Sequence, residues 1–195
     1  MAEVNLSKYS VKDYHSGSFI KRLLWYIINR AFFKTSFPFP SKLKIFLLNM
    51  FGGEIGKDVI IKMHINIKYP WFLKVGDNSW IGEGSWIDNL TWVRIGRNVC
   101  ISQGASIFTG NHNYKKKTFD LITNQVIIED GSWIAAKAVI CPGVTVKSHC
   151  VVTVGSVVTN DTQAYKVYQG NPAQIIRDRI IEEKYEGFNY NSSIK

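Results

Sequence analysis

The chain has 195 residues, 46% of them hydrophobic, which is enough for one domain with a real core and too few for two. Its formal charge of +9 implies attraction to anions, whether nucleic acid, acidic lipid, acidic glycan or cofactor phosphate, without choosing among them. The three cysteines, Cys100, Cys141 and Cys150, show no CxxC spacing, so neither a disulfide framework nor a zinc ribbon is suggested and free buried thiols are expected.

In chain order, the segment Glu3 to Ser18 is polar where a secretory signal would place a charged and then an apolar run, so a cytoplasmic protein is expected. Residues 1–50 read as a helical or extended cap. Within them, Ser18 to Phe33 reads as a helix with a broad apolar face, interrupted by Lys21, Arg22, Asn29 and Arg30. A membrane span needs about 20 uninterrupted apolar residues, so a transmembrane helix is not expected. Contact with a membrane surface carrying lipid-linked sugars is open to this segment, at the inner face of a membrane, but an end cap explains its apolar face more simply.

A repeat begins at Ile55. Steps of six give Ile55, Ile61 and Ile67, then after a shift of eight Val75, Ile81 and Ile87, then Ile95, Ile101 and Ile107. After an interruption the register resumes at Ile128, Ile134 and Ile140 and runs through Val146, Val152 and Val158. Two residues before these positions the side chain is small or aliphatic, as at Val59, Ser79, Ala105 and Cys150. A two-position inward pattern followed by a polar corner fits neither a helix face nor a hairpin sheet. It fits a three-sided coil, an all-β solenoid of about five triangular coils over residues 51–160, with Gly56, Gly76, Gly82 and Gly96 at corners. An inserted loop spans residues 108–126. Residues 161–195 form a C-terminal segment, in which Asn171-Pro172 followed by Ala173 to Tyr185 reads as the start of a second, C-terminal helical cap.

With that register fixed, the chain resembles the left-handed parallel β-helix hexapeptide acyltransferases, and within them the colanic-acid biosynthesis acetyltransferases. The phrases that carry the likeness are Ile67-Lys68-Tyr69-Pro70-Trp71, Val75-Gly76-Asp77, Asp88-Asn89-Leu90, Ile101-Ser102-Gln103-Gly104, Thr109-Gly110-Asn111-His112-Asn113-Tyr114 and Gly170-Asn171-Pro172-Ala173. The left hand comes from the resemblance alone, because ordinary parallel crossovers take the opposite hand. The resemblance implies a homotrimer with active sites between subunits, acetyl-CoA as donor and a sugar hydroxyl of an exopolysaccharide precursor as acceptor, on a nucleotide- or lipid-linked sugar. It implies His112 as general base, a task for which imidazole is suited at neutral pH.

Carried over by position, the acetyl-CoA contacts are Trp133, Ala135, Ala136, Thr153, Thr159, Asn160 and Arg177. Many relatives have lysine at the position of Asn160, which leaves one phosphate partner in doubt. On the acceptor side the candidates are Asp88, Asn89, Asn111 and Tyr114. For Asp88 and Asn89 a turn-forming role is equally open. No metal is expected: the related γ-type carbonic anhydrases use two histidines five residues apart, a spacing absent among His15, His64, His112 and His149. Nucleic acid is not expected as a partner. Trp80, Trp86, Trp92 and Trp133 directly precede inward positions and should project outward, where subunit packing is favoured over sugar stacking. Lys115 to Lys117 fit a solvated loop better than electrostatic capture of an acidic glycan or of cofactor phosphate. Two alternatives stay open, acetylation of an antibiotic hydroxyl or amino sugar and a non-catalytic β-helix scaffold.

Overall fold

A computed structural model describes residues 3–11 and 13–182. Three parallel sheets form the sides of a prism. The first stacks Glu54–Ile55, Leu73–Val75, Val93–Ile95, Val126–Ile128 and Thr145–Val146. The second begins with Ile60–Ile61, Trp80–Ile81, Cys100–Ile101, Trp133–Ile134 and Val151–Val152, and the third runs from Asn66–Ile67 through Trp86–Asp88, Ser106–Phe108 and Val139–Ile140 to Val157–Val158. Register follows the sequence repeat, so that Ile55 pairs with Val75, Val75 with Ile95, Ile95 with Ile128 and Ile128 with Val146.

Of the fifteen repeat positions all but Ile55 are buried, and the preceding small positions, among them Ser79, Ala105, Ser132 and Cys150, are buried with them. Burying an Ile or Val contributes roughly 1.5–3 kcal/mol each, so this inward column is the main source of stability. Buried serines are satisfied across coils: Ser79 Oγ donates to Gly96 O at 2.8 Å and accepts from Val99 N at 3.1 Å. The corner glycines are needed for clearance between coils rather than for a left-handed backbone. A Cβ at Gly76 would lie 2.7 Å from Arg97 N, and one at Gly82 would lie 2.6 Å from Ser102 C.

Both ends of the stack are covered, by different means. At the N-terminal end, α1 (Phe19–Ile28, with Ser18 Oγ accepting from Lys21 N) runs on into a π-helical turn, Asn29–Phe33, and is followed by α2 (Ser41–Met50). The open edge of the first coil is met by side chains. Trp25 Nε1 donates to Ile67 O at 2.8 Å, and Lys44 Nζ donates to Ile61 O at 3.3 Å and Lys62 O at 2.5 Å. The apolar face of α1, however, does not do the capping: only Trp25 of that helix is buried.

At the other end the expected C-terminal helix is replaced by a β-hairpin. Lys166–Gly170 pairs in parallel with Val151–Val152, and Ala173–Asp178 folds back on it antiparallel. Gly170, at φ +104°, and Pro172 lie at the turn. The helical signal is overridden because the last coil leaves strand groups unpaired, and a hairpin satisfies them where a helix could not. The rest of the expected helix, from residue 183 on, lies outside the described residues.

Candidate active site

The interruption between Ile107 and Ile128 forms a small antiparallel hairpin, Gly110–His112 against Leu121–Thr123, projecting from a corner after the third sheet. His112 ends its first strand, and Phe119 grips the ring twice. Phe119 O lies 3.0 Å from Nδ1, and the phenyl ring stacks on the imidazole at 4.4 Å and 9°. A carbonyl oxygen can only accept, so in the neutral imidazole Nδ1 carries the hydrogen and Nε2 keeps its lone pair. Tyr9 adds a tilted ring contact at 5.7 Å.

His112 lines a cavity of about 660 Å³ together with Tyr9, Tyr14, Arg22, Lys68, Tyr69 and Asp88. Tyr14 donates its hydroxyl to Leu90 O at 2.6 Å. Burial first, then Tyr69 and Asp88, push that phenol well above its ordinary value, so it stays a neutral donor. Asp88 forms an ion pair with Lys68 at 2.9 Å. The Arg22 Nε is buried without a hydrogen-bond partner among the described residues.

Asp88 is thus at the cavity, but its neighbour is not. Asn89 is buried, with Nδ2 donating to Tyr69 O at 2.5 Å and Oδ1 accepting from Tyr69 N at 2.9 Å. It staples two enlarged corners together, the geometry of a turn-forming residue. Asn111 is exposed and its Oδ1 accepts from His112 N at 2.8 Å, while Tyr114 is 73% exposed. Neither lines the cavity. Tyr9, Tyr14 and Arg22 have no local sequence signal, since they reach the site from a segment remote in sequence. Lys68 and Tyr69 lie in a phrase that the resemblance marks, without a role attached.

A second groove, of about 700 Å³, brings together Trp133, Ala135, Ala136, Thr153 and Arg177 from successive coils and the C-terminal hairpin, with Ser102 and Arg179 beside them. Trp133 Nε1 donates to Ser102 Oγ at 2.9 Å, which fixes the indole along the wall. Thr159 and Asn160 lie outside this lining, exposed and hydrogen-bonded to each other at 3.2 Å. The groove shares no lining residue with the His112 cavity. Trp80, Trp86 and Trp133 are exposed and Trp92 half-exposed, projecting outward as the repeat requires. All three cysteines are free, and burial raises the Cys150 thiol above its ordinary value. Among the described residues no cluster of His, Cys, Asp or Glu could hold a metal ion.

Over 180 residues, 92% of this chain and 99% of the relative, the sequence is 34% identical to WcaF of Escherichia coli, assigned by name to colanic acid biosynthesis as an acetyltransferase. The chain belongs to the hexapeptide-repeat acetyltransferases. The galactoside O-acetyltransferase of Escherichia coli is 26% identical over 159 residues, covering 80% of this chain and 78% of that one. A hexapeptide-repeat acetyltransferase of Vibrio cholerae, solved with acetyl coenzyme A, superposes with a TM-score of 0.74 over 83% of this chain and 88% of its own, at 21% identity, and shares the fold. No protein-family profile matches the chain. The left-handed coil of the hexapeptide acetyltransferases is therefore the architecture here, and the chain is an acetyltransferase.

Proposed function

We propose that this acetyltransferase moves the acetyl group of acetyl-CoA onto a hydroxyl of a sugar used in exopolysaccharide assembly, with His112 as general base. The observation that carries the reading is the carbonyl of Phe119 at Nδ1 of His112, which leaves Nε2 as the proton acceptor in a cavity large enough for a sugar. Nε2 takes the proton of the acceptor hydroxyl as its oxygen bonds to the thioester carbonyl carbon. The tetrahedral adduct then collapses, the C–S bond breaks, and the imidazolium returns the proton to the departing sulfur. No covalent enzyme intermediate is needed.

The groove along Trp133, Ala136 and Thr153 suits an extended thioester donor, and Arg177 offers positive charge for its phosphates. Because one chain keeps this groove and the His112 cavity apart, the productive site is proposed to form between subunits of a trimer. The likeness to WcaF and to the galactoside enzyme supports a sugar acceptor. Release of free thiol from acetyl-CoA, followed against a panel of nucleotide sugars and capsule oligosaccharides with mass spectrometry of the products, tests the reading. His112→Ala is expected to lower kcat by about 10²–10⁴-fold with the melting temperature kept; undiminished transfer removes His112 from its role.

A further inference from the structure

Helix α1 is built inside out. Its core side carries Trp25 and is flanked by Lys21 and Arg22, while Phe19, Ile20, Leu23, Leu24, Tyr26 and Ile27 are each between 46% and 69% exposed. A continuous apolar helix face of this kind is rarely left to water. It also continues past the helix: Phe32 packs on Phe39 at 4.9 Å, and Phe39 on the exposed Phe37 at 4.6 Å.

Charge selects the occupant. Between Asp13 and Glu54 there is no carboxylate side chain at all, and Arg30, Lys34 and Lys42 in that stretch are exposed. A second copy placing the same face against this one would bring cations onto cations, whereas an anionic lipid headgroup layer offers the opposite charge above an apolar phase. No helix among the described residues is long and apolar enough to cross a membrane, so the geometry suits a helix lying in the interface.

We infer that the outward face of α1 docks on the surface of an anionic lipid bilayer. The position bears on acceptor access. A groove lined by Phe19, Leu23 and Tyr26 also has Arg22, Lys68, Tyr69 and Asp88 in its wall, and these four line the His112 cavity as well. A bilayer under α1 therefore lies beside the acceptor cavity.

The full chain is tested by co-sedimentation with phosphatidylcholine vesicles containing phosphatidylglycerol, and with vesicles of phosphatidylcholine alone, at low and high salt. Binding to the anionic vesicles is expected, weakening as salt rises. The variant Ile20→Glu/Leu24→Glu/Ile27→Glu alters one exposed stripe outside both cavities. It is expected to lose vesicle binding by at least about tenfold while keeping its melting temperature and its transfer to a soluble acceptor. Vesicle binding is read without turnover, so its failure is distinct from failure of the acetyl-transfer reading. Absence of wild-type binding to anionic vesicles, or equal binding by the variant, overturns the inference. So does a fall in oligomeric state of the variant, which would make the face a subunit contact.

Discussion

Phe119 acts on His112 through two separate parts, its backbone carbonyl at Nδ1 and its ring against the imidazole plane, and its backbone holds φ +52°, a region open to glycine without strain. Phe119→Gly therefore keeps the carbonyl and removes the stacking, worth about 0.5–1.5 kcal/mol of ring alignment. The expected result is a fall in kcat of up to about tenfold with KM for acetyl-CoA and the melting temperature unchanged. A rise in KM alone would show that the ring serves binding rather than positioning. His112 was legible as a candidate from the Asn111-His112-Asn113 phrase in an inserted loop. Phe119 was not, because a carbonyl contact leaves no mark on side-chain identity, and Tyr9 and Tyr14 were not, because their cavity positions depend on how a remote segment crosses the loop.

At the level of elements, the inward column was legible because every coil repeats the same constraint, so Ile and Val recur wherever a side chain meets the prism axis. The caps were not. Each is used once and is set by which backbone groups the end coil leaves open, which is why Ala173–Asp178 pairs as a strand despite a helical start signal. Lys44 shows the same logic at the other end, where a buried ammonium donates to the end-coil carbonyls of Ile61 and Lys62. Removing it in Lys44→Ala is expected to destabilise the chain by about 1.5–3 kcal/mol in chemical denaturation. Burial also pushes this ammonium below its ordinary value of 10.5. The unfolded chain then holds more protons than the folded one between the two titration midpoints, so the penalty is full below the folded midpoint and shrinks as pH rises toward 10.5. Lys44→Met is expected to flatten this rise in stability, measured as urea midpoints across the alkaline range; a parallel rise in the variant would assign the slope to other groups.

For the whole molecule, the repeat determines a prism whose faces are alike, and the proposed function rests on where that likeness is broken: the hairpin bearing His112, the helices on one end and the hairpin on the other. The His112 cavity and the Trp133 groove share no lining residue within one chain, and the proposed mechanism has different copies bring proton acceptor and donor groove together. This is testable by mixing. His112→Ala lacks the base but keeps the groove, and Ala136→Trp fills the groove but keeps the base, so each should be inactive alone. In a cyclic trimer where every site takes its base from one subunit and its groove from the next, a random equal mixture places the two intact halves together at one interface in four. Unfolding and refolding the variants together is therefore expected to restore roughly a quarter of wild-type activity. Simply mixing the folded variants without subunit exchange should restore none. If co-refolded material that exchanges subunits, as shown by mass-tagged chains, stays inactive, base and groove must act within a single chain, and the prism would have to bend a donor around its own corner to reach His112.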